Sequence, residues 1–99
     1  MGTRHFGSAA FDKDYWIDGK AVFSKPIGMD VEFVTTGAFD WIFADTNGVE
    51  VRTSHCENLH GGWTSIDLAS LGLFDDYSIG FRNASSGKHE IKQIDVRSP

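Results

Sequence analysis

The chain has 99 residues, of which 40% are hydrophobic and 13% aromatic, and this is enough for one domain with one core. A formal charge of −5 provides no basic stripe for nucleic acid, and no apolar run approaches the roughly 20 residues of a membrane span. The only cysteine, Cys56, excludes an intrachain disulfide. We therefore expect one soluble domain over residues 1–99, without nucleic-acid binding or membrane insertion.

The first part of the chain is predicted to form short strands. Residues 5–11 and 21–24 have extended patterns, and the polar stretch 12–20 between them is expected to be a long loop. In residues 29–33, apolar side chains alternate strictly with acids, which is typical of a strand with one buried face. These segments favour a β domain from the beginning of the chain.

The clearest local signal is a β-hairpin over residues 40–53. Residues 39–43 place three aromatic side chains on one face of a strand, and residues 49–53 are predicted to be the return strand. Between them, Asn47 and Gly48 are the residues that a tight two-residue hairpin turn prefers, because both accept a positive φ.

The second half repeats this pattern. Residues 54–62 are predicted to be an irregular polar loop, and residues 63–68 and 77–82 are predicted to be strands. A turn at 83–87 precedes a closing strand over 88–97.

The closing strand is expected to contain a β-bulge. Ile91 and Ile94 have opposite parity along it, so both can be buried only if a bulge lies near Gln93. About eight short strands without a helical period predict an all-β fold, an antiparallel two-sheet β-sandwich with jelly-roll-like topology. The predicted core consists of Val31, Phe33, Phe39, Trp41, Phe43, Ile66, Leu68, Tyr77, Ile79 and Phe81.

Three aromatic residues are candidates for ligand binding. Tyr15 and Trp16 fall in the predicted loop, and Trp63 has the opposite parity to Ile66 and Leu68, so it should leave the face that they bury. An exposed ring beside carboxylates and amides suits a sugar, because the ring covers C–H groups and the polar atoms accept hydroxyl hydrogen bonds. The alternative is that these rings cap the ends of the sandwich.

Four acids are candidates for a structural calcium site. Asp12 and Asp14 alternate along the predicted loop, and Asp75 and Asp76 in a second loop could add further oxygen ligands. The EF-hand spacing is excluded because Trp16 stands where that motif needs Asp or Asn. The alternative is that all four are solvated turn residues.

The segment His55, Cys56, Glu57 and His60 contains residue types that could bind a transition metal or activate a thiol. Its spacing matches no standard zinc signature, and adjacent side chains on an extended backbone point to opposite sides. A nucleophilic cysteine would also need an orienting group from elsewhere in the fold, so we do not expect an enzyme. Separately, Asn83 begins a sequence that fits the N-glycosylation pattern.

Two functions from different classes follow. The first is a non-catalytic module that recognises a carbohydrate or cell-surface polymer through loop aromatics, for which an extracellular or cell-surface location is favoured. The second is a protein–protein module, such as an inhibitor, toxin component or assembly subunit, and a homo-oligomer is one form of it. That module would use a strand edge or the acidic block from Asp30 to Asp76, which contains nine acids and one base, Arg52.

Overall fold

The computed structural model describes residues 2–99, which form two antiparallel sheets of five strands each. Sheet A consists of β1 (Gly2–Phe6), β2 (Ala9–Phe11), β5 (Gly28–Phe33), β8 (Gly62–Asp67) and β10 (His89–Ser98), in the order β1-β10-β5-β8 with β2 also paired to β10. Sheet B consists of β3 (Asp14–Trp16), β4 (Val22–Phe23), β6 (Phe39–Ala44), β7 (Glu50–Cys56) and β9 (Tyr77–Asn83), in the order β3-β9-β6-β7 with β4 also paired to β9. The predicted antiparallel β-sandwich is confirmed, and the jelly-roll topology stays a prediction.

Ten strands appear instead of about eight because the first predicted strand is interrupted and because β3 forms within the predicted loop. Gly7 and Ser8 separate β1 from β2, yet both strands pair with β10. The 3-10 turn Ile17–Gly19 lies between β3 and β4, and both of these pair with β9. The prediction of a continuous loop over residues 12–20 is therefore wrong.

The space between the sheets is filled mainly by aromatic and β-branched side chains. The ring centroids of Phe33 and Phe39 lie 4.7 Å apart, and Trp41 lies 5.2 Å from Phe81 in the same cluster. Of the ten predicted core residues, nine are buried and Ile66 is partly buried, because β8 is an edge strand with a neighbour on one side only. Full burial of each large side chain contributes about 1.5–3 kcal/mol.

The predicted hairpin strands and the predicted bulge are confirmed, but the turn is longer than the predicted two residues, and only Gly48, not Asn47, has a positive φ. Strand β6 pairs with β7 around a turn in which Asp45 Oδ1 accepts hydrogen bonds from the amides of Asn47 and Val49, and Gly48 has a φ of 80°. Strand β7 continues to Cys56, so the first part of the predicted 54–62 loop is strand instead. The register of β10 against β5 shifts between Ile91 and Gln93.

No helix in the part of the chain that the structure describes is long and apolar enough to cross a membrane.

Candidate functional site

Trp16 and Trp63 lie on opposite outer faces of the sandwich. Trp16 is on β3 and pairs with Gly80, whose neighbours Ile79 and Phe81 point into the core. Trp63 is on β8 in the other sheet, where it pairs with Glu32 of β5. Because the whole sandwich separates the two indole rings, they cannot contact one small ligand together.

Tyr15 belongs to the core side of sheet B. Its ring stacks at 6.3 Å from Phe11 and at 6.5 Å from Phe81, both of which are buried. The prediction of Tyr15 as a loop residue is wrong because β3 pairs with β9 and turns this side chain inward. Its ring therefore presents little surface to a ligand.

Trp16 faces outward, but its ring is covered. A Cβ on Gly80 would lie 3.0 Å from Trp16 Cε3, so one face of the indole packs on the backbone of β9. Lys20 Nζ lies 4.5 Å from the ring centroid, in the geometry of a cation–π contact. The prediction that Trp16 lies in a loop is wrong because β3 pairs with β9. The Trp16 ring is partly buried.

An ion-pair network centred on Arg82 also lies on the outer face of sheet B. This guanidinium donates two hydrogen bonds to Asp14, at 2.9 and 3.0 Å, and two to Glu50, both at 2.8 Å. The hydrogen bonds to Glu50 and then to Asp14 raise the pKa of Arg82 above its ordinary value. In the register of sheet B, Arg82 of β9 lies opposite Asp40 of β6, and Glu50 of β7 lies opposite Ala44 of β6. The side chain of Arg82 therefore crosses β6 to reach Glu50.

His55 forms a second polar cluster on sheet B. Its Nδ1 lies 2.7 Å from Asp40 Oδ1, and its Nε2 is hydrogen-bonded to Glu57. The hydrogen bonds to Asp40 and then to Glu57 raise the pKa of His55. Cys56 points to the other side of β7, where its Sγ lies 3.9 Å from Thr64 Oγ1. Adjacent His55 and Cys56 therefore do not converge on one metal ion or on one reactive group.

The outer face of sheet A offers an uncovered ring. The side chain of Trp63 is 53% exposed, and Glu32 stands opposite it on β5. Glu32 Oε1 accepts a hydrogen bond of 2.7 Å from Gln93 Nε2 on the next strand. Asp30, two residues before Glu32 on the same face of β5, accepts hydrogen bonds from Ser65 Oγ and from Arg97 Nε. An indole, a carboxylate and an amide thus lie side by side on three neighbouring strands.

The four acids predicted to bind calcium fall into two separate places. Asp14 pairs with Arg82 near the end of β9, whereas Asp76 comes immediately before its first residue. Six residues of strand separate these points by about 20 Å, so Asp12 and Asp14 cannot share an ion with Asp75 and Asp76. Among residues 2–99, no three His, Cys, Asp or Glu side chains are grouped to hold a metal ion. Calcium binding at either pair stays a prediction.

Asn83 is not placed as a glycosylation acceptor. Its Nδ2 donates to the carbonyl oxygens of Asp12 and Gly87, at 2.9 and 2.7 Å. Its Oδ1 lies 2.9 Å from Nε2 of the buried His89. This side chain holds the β9–β10 turn, so a glycan on Nδ2 would replace one of its hydrogen bonds.

The acidic block of the sequence does not form one acidic surface. Alternation places Asp30 and Glu32 on the outer face of sheet A, and Asp40 and Glu50 on that of sheet B. Asp30 forms a salt bridge with Arg97, a base that lies outside this block of the sequence. The acidic-face version of the protein–protein hypothesis loses support as a result.

Comparisons with protein-family models, with curated proteins and with solved structures found no match to this chain. The candidate site is therefore defined by its own geometry: Trp63, Glu32 and Gln93 on the outer face of sheet A, hereafter the Trp63 platform.

Proposed function

We propose that this domain is a non-catalytic carbohydrate-binding module and that the Trp63 platform is its binding surface. The observation that carries the proposal is the indole of Trp63, 53% exposed on a sheet face directly opposite the carboxylate of Glu32. A large ring left in water loses the favourable free energy of burial, and an apolar sugar face would recover it.

The surroundings of the ring support a sugar more than a purely apolar ligand. Opposed side chains on neighbouring antiparallel strands have their Cβ atoms about 4.5–5.5 Å apart, so one sugar ring can touch both Trp63 and Glu32. Gln93 adds an amide one strand further on. The other two tryptophans are less suitable, because Trp41 is buried and Trp16 is covered by Lys20.

Binding to a panel of insoluble and soluble polysaccharides tests the proposal. Trp63→Ala should weaken binding by about tenfold or more and leave the melting temperature nearly unchanged, since the ring is half exposed. Phe74→Ala is the matched control, because Phe74 is 69% exposed in the loop after the 3-10 turn Leu68–Leu71, at the other end of sheet A. Equal losses in the two variants would indicate nonspecific apolar adsorption and contradict the proposal.

A second candidate function, a protein–protein module, is supported by the strand edges. Strands β7 and β8 are the outer strands of sheets B and A, and they are seven and six residues long. Neither contains proline or lysine, the residues with which natural edge strands commonly oppose pairing. The opposite edges are broken, at Gly7-Ser8 and at Ile17–Gly19.

Sedimentation at increasing concentration tests the second candidate. If β7 pairs with another strand, Val51→Lys, at a position 47% exposed, should abolish self-association or partner binding. The same substitution should leave polysaccharide binding unaffected, so the two candidate functions can be separated with one pair of variants.

A further inference from the structure

The charges nearest to Trp63 on its own strand and on the neighbouring strand are negative. Strands β5 and β8 contain three acids, Asp30, Glu32 and Asp67, and no lysine or arginine. The nearest bases on the outer face are on β10, two strands from Trp63 and thus about 10 Å away. One of them, Arg97, is already hydrogen-bonded to Asp30, and the other, Lys92, is exposed in the bulge next to Gln93, at the far end of the platform from Trp63.

One carboxylate oxygen beside the ring is left without a hydrogen-bond donor. Glu32 Oε1 accepts from Gln93, whereas Glu32 Oε2 has no hydrogen-bond partner among residues 2–99. The nearest hydroxyl, that of Ser65, already donates to Asp30 Oδ1 at 2.5 Å. A ligand at this place can satisfy Glu32 Oε2 only with a donor, and a positively charged donor suits this carboxylate best.

From these two observations, we propose that Trp63 and Glu32 form a subsite for an amino sugar carrying a protonated amine. An ammonium group can donate a charge-assisted hydrogen bond to Glu32 Oε2 while the sugar ring lies over the indole. The ammonium also gains from the negative face of the tryptophan ring. This inference rests on the proposed function, since it names the class of sugar that the Trp63 platform binds.

Calorimetric titration with three oligosaccharides of matched length, in weakly acidic buffer, tests the subsite. The probes are oligomers of glucosamine, of N-acetylglucosamine and of galacturonate, which carry positive, neutral and negative sugars. The wild type should bind the glucosamine oligomer about tenfold more tightly than the N-acetylated one, because acetylation removes the charge that Glu32 recognises. The galacturonate oligomer should not bind measurably.

Glu32→Gln is the decisive variant, because it removes the charge and keeps a side-chain oxygen that can accept from Gln93. It should reduce the preference for glucosamine over N-acetylglucosamine to about onefold. Glu90→Gln is the matched control: Glu90 is an exposed acid on β10 that pairs with Ala10, away from Trp63, and the preference should survive. In the wild type, added salt should reduce the preference for glucosamine over N-acetylglucosamine, because salt screens the attraction between the ammonium group and Glu32.

The outcomes separate the inference from the proposed function. Equal or tighter binding of the N-acetylated or galacturonate oligomer, lost in Trp63→Ala, would overturn the amino-sugar inference and leave the carbohydrate-binding proposal standing. Binding of none of the three oligomers would overturn the amino-sugar inference, and the carbohydrate-binding proposal would fall with it only if the polysaccharide panel also showed no binding. Tight binding of a lysine-rich peptide, with no binding to any carbohydrate, would overturn both and assign the subsite to a basic protein partner.

Discussion

The indole ring of Trp16 lies on Gly80, and the two residues pair across β3 and β9. A Cβ on residue 80 would lie 2.5 Å from the carbonyl oxygen of Tyr15 and 3.0 Å from Trp16 Cε3, so this position accepts only glycine. We expect Gly80→Ala to destabilise the domain by about 1–3 kcal/mol, because the backbone of β3 must move. Gly7→Ala, where a Cβ meets no atom within 4 Å, is the control and should change the denaturant midpoint little. Equal midpoints for both variants would show that Trp16 does not pack on β9.

Tryptophan fluorescence should distinguish the three indole environments. Trp41 is 3% exposed and Trp63 is 53% exposed, while Trp16 lies between Gly80 and Lys20. Trp63→Phe should therefore remove most of the emission that acrylamide quenches readily. Unchanged quenching in that variant would place Trp63 in a protected environment and remove the basis of the Trp63 platform.

Two substitutions in the core should be strongly destabilising. Leu68→Ala and Ile79→Ala each remove a side chain that is 0% exposed, so each should cost about 2–5 kcal/mol through lost burial and a residual cavity. Leu59→Ala, at a position 71% exposed, should cost less than about 0.5 kcal/mol. Urea denaturation of the three variants checks these values, and a small loss at Leu68 or Ile79 would contradict the packing described above.

The Arg82 network should stabilise sheet B in a way that lysine cannot reproduce. A planar guanidinium can meet two carboxylates with paired hydrogen bonds, whereas an ammonium group cannot hold both Asp14 and Glu50 in this geometry. Because the group is partly exposed, we expect Arg82→Lys to cost only about 1 kcal/mol, and less at high salt. Arg52→Lys, at an exposed position on β7, should be nearly neutral. A loss that does not depend on salt would indicate packing of the arginine stem instead.

The His55 cluster should make stability depend on pH. Hydrogen bonds to Asp40 and then to Glu57 raise the pKa of His55 in the folded state above its ordinary value of 6.5. The folded state therefore binds the proton more tightly than the unfolded state. The resulting stabilisation is fully present below about pH 6.5 and is lost as the pH rises through the raised pKa.

Titration of the His55 ring by NMR checks this prediction. Asp40→Asn should lower the pKa of His55, and the stability difference between variant and wild type should shrink at alkaline pH. A pKa of His55 that does not respond to this substitution would contradict the role of Asp40.

Local patterns in the sequence were sufficient for part of the fold. The hairpin around Asn47-Gly48 and the bulge near Gln93 follow from neighbouring residues, because turn chemistry and alternation act over a few positions. Strand β3 could not be predicted this way, since the strand with which it pairs, β9, lies far along the chain.

The candidate site was predictable to a similar extent. Alternation alone indicates that Trp63 faces away from the core, and this is correct. Alternation assigns a face within one sheet and does not say which sheet a strand joins, so it could not place Trp16 and Trp63 on opposite sides. The pairing of Trp63 with Glu32, and of Arg82 with both Asp14 and Glu50, likewise depends on register between distant strands.

The position of β10 within sheet A has a consequence for how the chain reaches its native state. This strand lies between β1 with β2 on one side and β5 on the other, and Gly2 pairs with Ser98. During synthesis, the backbone groups that pair with β10 stay unpaired until this last described strand has been made. They belong to β1, β2 and one edge of β5. Closure over such long sequence separations is slow, and strand edges left open meanwhile favour aggregation. We accordingly expect recovery of native protein to improve when the chain is refolded at low concentration, where open strand edges meet other chains less often.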